Sequence, residues 1–324
     1  MKLLKNLLVL AISLGLSANA LAQNYPDRPI TLIVPFAAGG PTDVVARSLA
    51  LSMGSDLKQP IVVDNAGGAG GTIGSKKAAD AQADGYTLLL MHIGMATAPS
   101  LYKKLLFDPL KSYEYIGLTV DVPMTLLGKA ALPPNNLNEL LPYIKQNASK
   151  MNVAHAGIGS ASHLCGLLFM STIQQDIQTI AYRGTGPAMT GLLAGEVDLL
   201  CDQTTNTTAQ IQSGKVKTYG ISSARRSTTL PNVPTLDEAG LKGFQLGVWH
   251  GLYAPKGTPK PIIDRLLRAL QAGLKDPAFV KRMEELGARV VSEKEATPDA
   301  LRNKLQSEIN LWSPIIQKAG VYAD

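Results

Sequence analysis

Short apolar runs alternate with amphipathic stretches along almost the whole chain of 324 residues. Runs rich in branched and aromatic side chains predict strands. These runs lie at residues 30–35, 61–64, 87–91, 115–120, 124–128, 152–155, 179–182, 197–202, 217–222 and 246–254. Stretches with apolar residues at helical spacing predict helices between them. These stretches lie at residues 41–57, 72–83, 137–146, 162–174, 187–194 and 205–213. The alternation favours doubly wound parallel sheets with helices on both faces.

The last part of the chain differs, because the pattern after Ala254 is almost entirely helical. Three helices are predicted at 259–274, 277–286 and 298–319, and each starts with a proline, which suits a first helical turn. About 300 residues exceed what one hydrophobic core holds, so we expect two lobes. A helical tail without its own strands must pack on the first lobe. We therefore expect lobe 1 to comprise residues 23–122 plus 248–324 and lobe 2 residues 123–247, with chain crossings near 120–124 and 244–252.

The first 22 residues carry the features of a secretory signal peptide. Lys2 and Lys5 precede an apolar run at residues 7–16, and small residues follow at 18–22. The run is too short to span a bilayer, although an uncleaved membrane anchor is the alternative interpretation. We therefore expect export and a soluble mature protein. Cys165 and Cys201 would then meet an oxidising compartment, where they either form a disulfide or stay as small buried hydrophobes.

The charge distribution and the motifs of the sequence argue against nucleic-acid binding, metal binding and enzymatic activity. The formal net charge is +6, and lysines and arginines are spread along the chain without a basic run or interleaved aromatics, so nucleic acid is not an expected partner. Four histidines at scattered positions show no metal-ligand spacing. No hydrolase elbow or metalloprotease motif occurs in the sequence. We expect neither a metal nor a cofactor, and no enzymatic activity.

The strongest chemical signal is the turn from Pro35 to Asp43, which links a predicted strand to a predicted helix. Gly39 and Gly40 let the backbone come close to a ligand, and the first N–H groups of the helix have no partner within it. Such a loop can hold a small anion. It lacks the lysine and the hydroxyl residue of a phosphate-binding loop, which indicates a plainer anion such as a carboxylate.

Other loops follow predicted strands, at the sheet edge where open α/β folds bind ligands. The glycine run at 67–71 is either a ligand loop or a plain tight turn, and the segment 92–98 is expected to be a loop. In the loop 156–163 we expect Ser162 to cap the next helix, Ser160 to point into the cleft and His163 to pack or hydrogen-bond.

Two further segments, 182–188 and 201–204, complete the set of loops. Thr185 and Gly186 start a helix and can donate to an anion. Arg183 is either the partner of a carboxylate or a surface residue. Asp202 either accepts from an ammonium or hydroxyl group of the ligand or caps the following helix.

Several short motifs also occur together in a fixed order. They are Tyr25-Pro26-x-Arg28-Pro29, Pro35-Phe36-x-x-Gly39-Gly40-x-x-Asp43, Asn65-x-x-Gly68-Ala69-Gly70-Gly71, Asp84-Gly85-Tyr86-Thr87-Leu88, Gly159-Ser160-x-Ser162-His163, Tyr182-x-Gly184, Gly195-x-Val197-Asp198, Pro231-x-Val233-Pro234-Thr235 and Trp249-x-Gly251. On these motifs the chain resembles the substrate-binding proteins of tripartite tricarboxylate transporters, the Bug family of bacterial periplasmic receptors. The resemblance implies a two-lobed α/β fold of the type II Venus-flytrap kind, with discontinuous lobes joined by two crossing strands. It also implies a periplasmic monomer that captures a small organic carboxylate in the interlobe cleft and delivers it to a membrane permease.

The same resemblance implies which residues contact the ligand. The expected contacts are Phe36, Ala38, Gly39, Asp43, Ser160, Ser162, Thr185, Gly186 and Asp202. The other end of the ligand would face His92, Ile93 and Trp249. His92 replaces a small polar residue that is frequent in the family. Protonated, it would favour a second carboxylate, and neutral, it would accept from a hydroxyl or amide.

The identity of the ligand and of the partner stays open at this point. A dicarboxylate, an amino acid and an aromatic acid are all compatible with the resemblance. One alternative function is a ligand-dependent co-receptor for a histidine kinase, which would use the same cleft. Another is a secreted α/β hydrolase that uses Ser160 with His163.

Overall fold

The computed structural model describes residues 25–320 and 322–323 of the chain. The predicted signal peptide at residues 1–22 lies outside the described residues and stays a prediction. Within the described residues, no helix combines the length and the apolar composition that crossing a membrane requires.

Strands and helices alternate through the first two thirds of the described chain and give way to helices at its end. The strands are β1 (Ile30–Val34), β2 (Ile61–Asn65), β3 (Thr87–His92), β4 (Tyr113–Lys129), β5 (Asn152–His155), β6 (Gln178–Ala181), β7 (Leu199–Gln203), β8 (Val216–Ile221), β9 (Gly247–Pro255) and β10 (Arg289–Val290). The α-helices are α1 (Pro41–Leu57), α2 (Thr72–Ala79), α3 (Gly94–Leu101), α4 (Leu137–Asn147), α5 (Ala161–Ile173), α6 (Thr185–Ala194), α7 (Thr204–Gln212), α8 (Lys260–Leu274), α9 (Pro277–Glu285) and α10 (Pro298–Ala319). The 3₁₀ turns are Ala69–Gly71 and Ala148–Lys150.

The strands pair in the order β2-β1-β3-β9-β4-β7-β5-β6, and β8 and β10 also pair with β4. We call the half built on β1, β2, β3 and β9 the first lobe and the half built on β5, β6, β7 and β8 the second lobe. β1 pairs in parallel with β2 and β3, and β5 pairs in parallel with β6 and β7. β4 and β9 run antiparallel to their neighbours. The two-lobed α/β fold is confirmed. Parallel pairing is found within each lobe, as expected, but the sheet as a whole is mixed, because β4 and β9 run against the others.

β4 is the strand that connects the two lobes. The sequence predicts two strands at 115–120 and 124–128, but the structure has one strand of 17 residues. Its first part pairs with β9, from Tyr113 opposite Pro255, and its second part pairs with β7, from Met124 opposite Gln203. A continuous backbone therefore passes from one lobe to the other at the first predicted crossing.

Ser222 ties this crossing to the second one. Its Oγ accepts from the Met124 N–H at 2.8 Å and donates to the Leu246 carbonyl at 2.6 Å. Ser222 is buried, so water does not compete for these bonds. The two connecting segments are thus fastened side by side at the point where the lobes would bend.

The segment 92–98, predicted as a loop, was assigned wrongly, because Gly94–Leu101 forms helix α3. Almost every residue of α3 is buried, so it shows no polar face and hence no helical periodicity. It also contains Pro99 and lacks a side-chain cap among the described residues, so the usual signals of a helix are missing from its sequence.

The C-terminal helices pack on the first lobe, as the absence of partner strands suggests. α8 packs against α1, and α10 packs against α3 and β4. α10 follows a capped start, in which the Thr297 hydroxyl accepts from the Ala300 N–H at 3.2 Å. The residue limits of the two lobes, 23–122 plus 248–324 and 123–247, stay a prediction.

The two cysteines, whose pairing the sequence leaves open, form a disulfide. The Cα atoms of Cys165 and Cys201 lie 6.0 Å apart. The bond joins α5 to β7, four residues from the start of the helix and two residues from the end of the strand. It therefore fixes the position of the N-terminus of α5 relative to the end of β7.

Removing this disulfide should lower the stability of the protein. The bond closes a loop of 36 residues, which corresponds to roughly 4 kcal/mol of chain entropy in the unfolded state. In urea denaturation, the double variant Cys165→Ala with Cys201→Ala should lose about 3–4 kcal/mol of unfolding free energy. Dithiothreitol should destabilise the wild type to a similar extent and leave the variant unchanged. A loss below about 1 kcal/mol would show that the bond does not constrain the unfolded chain.

Candidate functional site

A small cavity lies between the two lobes, at the ends of β1, β3, β5 and β7. Its lining residues are Phe36, Gly40, Pro41, Thr42, His92, Ala156, Ser160, Ala161, Ser162, Thr185, Asp202 and Gln203. The volume of this cavity is about 10 Å³, which is room for about one water molecule. Any larger ligand therefore needs the lobes to separate before it enters.

Four helices begin at the wall of this cavity. α1 contributes its cap Gly40 and Thr42, α5 its cap Ser160, α6 its first residue Thr185 and α7 its cap Gln203. Each helix N-terminus carries a partial positive charge and backbone N–H groups without an intrahelical partner. Among the described residues, no side chain caps α1, α6 or α7. These helix starts turn partial positive charge towards the cavity, whose described lining contains one carboxyl group, that of Asp202, and no lysine or arginine.

Asp43 holds the loop after β1 from behind. Its carboxylate accepts at 2.9 Å from the Gly39 N–H, from Arg47 Nε and from Asn65 Nδ2. Burial alone would raise the pKa of Asp43, but the hydrogen bonds from Arg47, Gly39 and Asn65 bring its pKa below the usual value. Both carboxylate oxygens are engaged inside the loop, so Asp43 shapes the cavity without lining it.

In the loop after β1, Gly40 lines the cavity and Gly39 does not. Gly39 has a left-handed φ of 79°, and its N–H is bonded to Asp43. Ala38 and Gly39 are both exposed and lie outside the cavity. Gly40 is buried, has a φ of −86° and lines the cavity. The turn that the two glycines form is therefore present, with Gly39 bending the chain and Gly40 facing the ligand space.

The start of α5 differs from the prediction. Ser160 is the cap, because its Oγ accepts from the His163 N–H at 3.3 Å. Ser162 Oγ accepts from the Ala156 N–H at 2.9 Å and lies 3.0 Å from Ser160 Oγ. The expectation that Ser162 caps the helix was wrong, because the helix begins at Ala161, one residue earlier than predicted. Both serines line the cavity.

His92 forms the first-lobe side of the cavity. Its buried ring stacks on Phe36 with the ring centres 4.7 Å apart and meets His250 edge-on at 5.7 Å. Burial, together with His250, keeps the pKa of His92 well below its usual value, so the ring is neutral at pH 7. Its Nδ1 accepts from the Gly94 N–H at 3.0 Å, so the ring proton is on Nε2. His92 is therefore a neutral hydrogen-bond donor, which differs from both of the roles that the sequence suggested.

His163 supports the backbone of its own loop. Its Nδ1 accepts from the Gly159 N–H at 3.2 Å, and His155 Nδ1 accepts from the Gly157 N–H at 3.1 Å. Burial and the neighbouring His155 ring lower the pKa of His163 to about 3. Within the described residues, no hydrogen bond joins the Ser160 hydroxyl to the His163 ring. The serine–histidine pair that a hydrolase requires is not formed.

The wall at the end of β7 presents hydrogen-bond acceptors. Asp202 Oδ1 accepts from the Gln203 N–H at 2.8 Å, and Oδ2 accepts from Asn206 Nδ2 at 2.5 Å. Burial raises the pKa of Asp202 to about 6, although hydrogen bonds from Asn206, Gln203 and Thr185 oppose the rise. Gln203 Oε1 is buried and has no hydrogen-bond partner in the part of the protein that the structure describes. A donor group on a ligand would satisfy this wall.

Half of the expected contact residues line the cavity. These are Phe36, His92, Ser160, Ser162, Thr185 and Asp202. The structure does not bring the others to it; they are Ala38, Gly39, Asp43, Ile93, Gly186 and Trp249. Ile93 and Trp249 are buried in the hydrophobic core, and Gly186 faces the backbone of the first-lobe loop.

Six lining residues are absent from the expected contacts, although all of them lie in loops that the sequence analysis singled out. They are Gly40, Pro41, Thr42, Ala156, Ala161 and Gln203. All except Ala156 stand within two positions of an expected contact and belong to the first turn of a helix or to its cap. The signal was therefore present, because a cap or first-turn residue of each of four helices lines the cavity.

All four histidines are buried, and this predicts an unusual titration. Burial lowers the pKa of each ring, to about 4 for His250. The folded protein resists protonation where the unfolded chain accepts it, so stability should fall as the pH drops from about 6.5 towards 4. Proton NMR of the four ring C–H signals, followed from pH 8 to pH 5, should show no midpoint near 6.5 for His92, His163 or His250. A midpoint near 6.5 for His92 would contradict the neutral donor assigned to it.

Comparison with known proteins places this geometry in a family. Residues 45–321 match the model of the tripartite tricarboxylate transporter family receptor. A protein encoded in the TAR-I ttuE-ttuC' intergenic region of Agrobacterium vitis is 45% identical over 298 residues, which cover 92% of this chain and 86% of that protein.

Solved structures give the same result. The periplasmic binding protein BugD is 56% identical, with a TM-score of 0.90 over 92% of this chain and 99% of that one. MatC from Rhodopseudomonas palustris, with bound malate, is 40% identical, with a TM-score of 0.87 over 90% of this chain and 100% of that one. The resemblance found in the sequence motifs is confirmed: the chain belongs to the receptor family of the tripartite tricarboxylate transporters.

Proposed function

We propose that this protein binds a small organic carboxylate between its lobes and delivers it to the membrane permease of a tripartite tricarboxylate transporter. The observation that carries the proposal is the meeting of four helix N-termini at one buried cavity. Family membership supports the partner, because the family is that of the transporter's receptor. The bound malate of MatC supports the class of ligand.

The helix starts around the cavity favour a negatively charged ligand. A helix N-terminus stabilises a nearby anion by about 0.3–1 kcal/mol at an exposed site and by up to about 2 kcal/mol when partly buried. Backbone N–H groups at α1 and α6, the neutral His92 donor and bridging waters can share one carboxylate. A site built from helix N-termini, without a cation in its described lining, suits one or two carboxylates.

The opposite end of the ligand would face hydrogen-bond acceptors. Asp202 and Gln203 present acceptor oxygens, and Gln203 Oε1 is unpaired within the described residues. A buried acceptor without a donor costs about 1–3 kcal/mol, so a ligand that supplies a hydroxyl or ammonium group is favoured over one that does not. Malate has this combination of carboxylates and a hydroxyl group. We therefore infer a hydroxy acid or an amino acid as the preferred ligand.

Location and assembly follow from the same function. The disulfide between Cys165 and Cys201 fits an oxidising compartment such as the periplasm. A receptor that opens and closes around its ligand can work as a monomer, and no catalytic step is part of this function.

Placing a negative charge at the start of α1 should abolish binding. Gly40 has an ordinary φ of −86°, and a Cβ there would meet other atoms only at 3.5 Å or more, so a side chain can be accommodated. The carboxylate of Gly40→Asp would occupy the donors and repel the ligand by about 4 kcal/mol at a separation of 4 Å. Calorimetric titration with malate, after unfolding and refolding the protein to remove carried-over ligand, should show a loss of at least about 100-fold in affinity.

Gly40→Asn is the matched control, because asparagine has nearly the same shape and is an equally good helix cap. Its affinity should fall far less than that of Gly40→Asp. Equal losses in the two variants would mean that the start of α1 does not bind the negative charge. Absence of binding by the wild type across hydroxy acids, amino acids and simple dicarboxylates would reject the proposed function itself.

A further inference from the structure

The glycine run at residues 67–71 has no part in the cavity described above. It lies between β2 and α2 and includes the 3₁₀ turn Ala69–Gly71. None of its residues lines the cavity. Within the run, three glycines have positive φ values: Gly68 (137°), Gly70 (59°) and Gly71 (99°). Ala69 between them also has a positive φ, of 46°, which is uncommon for a residue with a side chain. The run thus holds an unusual backbone conformation outside the cavity.

The run touches the second lobe backbone to backbone. A Cβ atom added to Gly70 would lie 1.9 Å from the Ile158 carbonyl oxygen, and one added to Gly157 would lie 2.8 Å from the Gly70 nitrogen. At Gly67, an added Cβ would lie 3.1 Å from the Arg183 carbonyl oxygen. Only residues without a side chain can approach this closely, so the contact requires glycine on both sides.

Side chains of α3 and backbone groups continue the same contact. Tyr102, at the end of α3, donates from its hydroxyl to the Ile158 carbonyl at 2.8 Å. Thr97 Oγ1 donates to the Gly159 carbonyl at 3.2 Å. The Ala37 N–H donates to the Arg183 carbonyl, also at 3.2 Å. The first lobe thus holds the loop 157–159 at several points.

That loop leads directly into the binding site. Gly159 precedes Ser160, the cap of α5, and Ser160 lines the cavity. Contact between the two lobes at the glycine run therefore places the N-terminus of α5 beside the N-terminus of α1 at the cavity. Without this contact, the donors of the two lobes would not surround one ligand.

We propose that the glycine run 67–71 is a closing latch, which sets how much of the protein is closed and so controls ligand affinity without touching the ligand. The expected change in malate affinity rests on the proposed function, whereas the closing contact itself does not depend on it. Apparent affinity depends on the fraction of the protein in the binding-competent state. A latch that cannot close lowers this fraction and leaves every lining residue in place.

Gly70→Ala tests the latch, and Gly195→Ala is its matched control. Gly195 has a φ of 80° and no atom within 4 Å of an added Cβ, so this substitution brings similar backbone strain without a collision. Spin labels at the exposed Leu51 of α1 and Leu193 of α6 report the distance between the lobes. The native cysteines are paired, so labels attach only to the introduced ones.

The distance measurement decides the proposal in the ligand-free protein. In Gly70→Ala the closed fraction should fall relative to the wild type, and in Gly195→Ala it should match the wild type. Malate affinity should fall by about tenfold or more in Gly70→Ala and by less than about twofold in the control. Circular dichroism and thermal unfolding should show that both variants are folded to the same extent.

A second variant removes one hydrogen bond and adds no bulk. Tyr102→Phe deletes the hydroxyl that reaches the Ile158 carbonyl, so it should lower the closed fraction less than Gly70→Ala does. Equal closed fractions in the wild type and Gly70→Ala would overturn the latch. If the wild type binds none of the acids, the proposed function fails, while the distance measurement still decides the latch.

Discussion

The whole arrangement depends on one constraint: an anion must be held in a buried place without a cation beside it. Within the described lining, the positive potential comes from helix N-termini alone. One of these belongs to the first lobe and three to the second, at α1 and at α5, α6 and α7. No single lobe can surround the ligand, so full binding requires the closed form of the protein. The two connecting segments are fastened together at Ser222. The lobes meet at glycine residues, where the two backbones can come close together.

Polar side chains behind the cavity serve mainly to keep its shape. Asp43 uses its carboxylate on Gly39, Arg47 and Asn65. His155 and His163 accept from backbone groups of the loop before α5, and the disulfide fixes that helix to the end of β7. These groups are already in position, so little reorganisation is needed when the ligand binds. The cost of ordering the site is therefore small, and the affinity for the ligand is higher. The charged form of Asp43 and the neutral forms of the histidines both follow from these internal contacts.

Much of the fold was predictable from the sequence, and about half of the site was. Alternating apolar and amphipathic stretches identified most strands and helices, because burial on one face leaves a periodic pattern. Helix α3 was missed, because six of its eight residues are buried and its sequence shows no such pattern. Asp43 looked like a ligand contact, since its partner Asn65 stands 22 positions away and only the fold brings them together. The cap of α5 is Ser160 and not Ser162, because the helix begins one residue earlier than its sequence pattern predicts.

A crystal structure of the refolded protein with malate would test the central claim most directly. We expect one carboxylate to lie within hydrogen-bond distance of backbone N–H groups at the starts of α1 and of at least one second-lobe helix. We also expect the hydroxyl group of malate to face Asp202 or Gln203, with both lobes closed at the glycine run. A carboxylate paired with a lysine or arginine, or bound outside the cavity between the lobes, would contradict the claim that helix N-termini hold the anion.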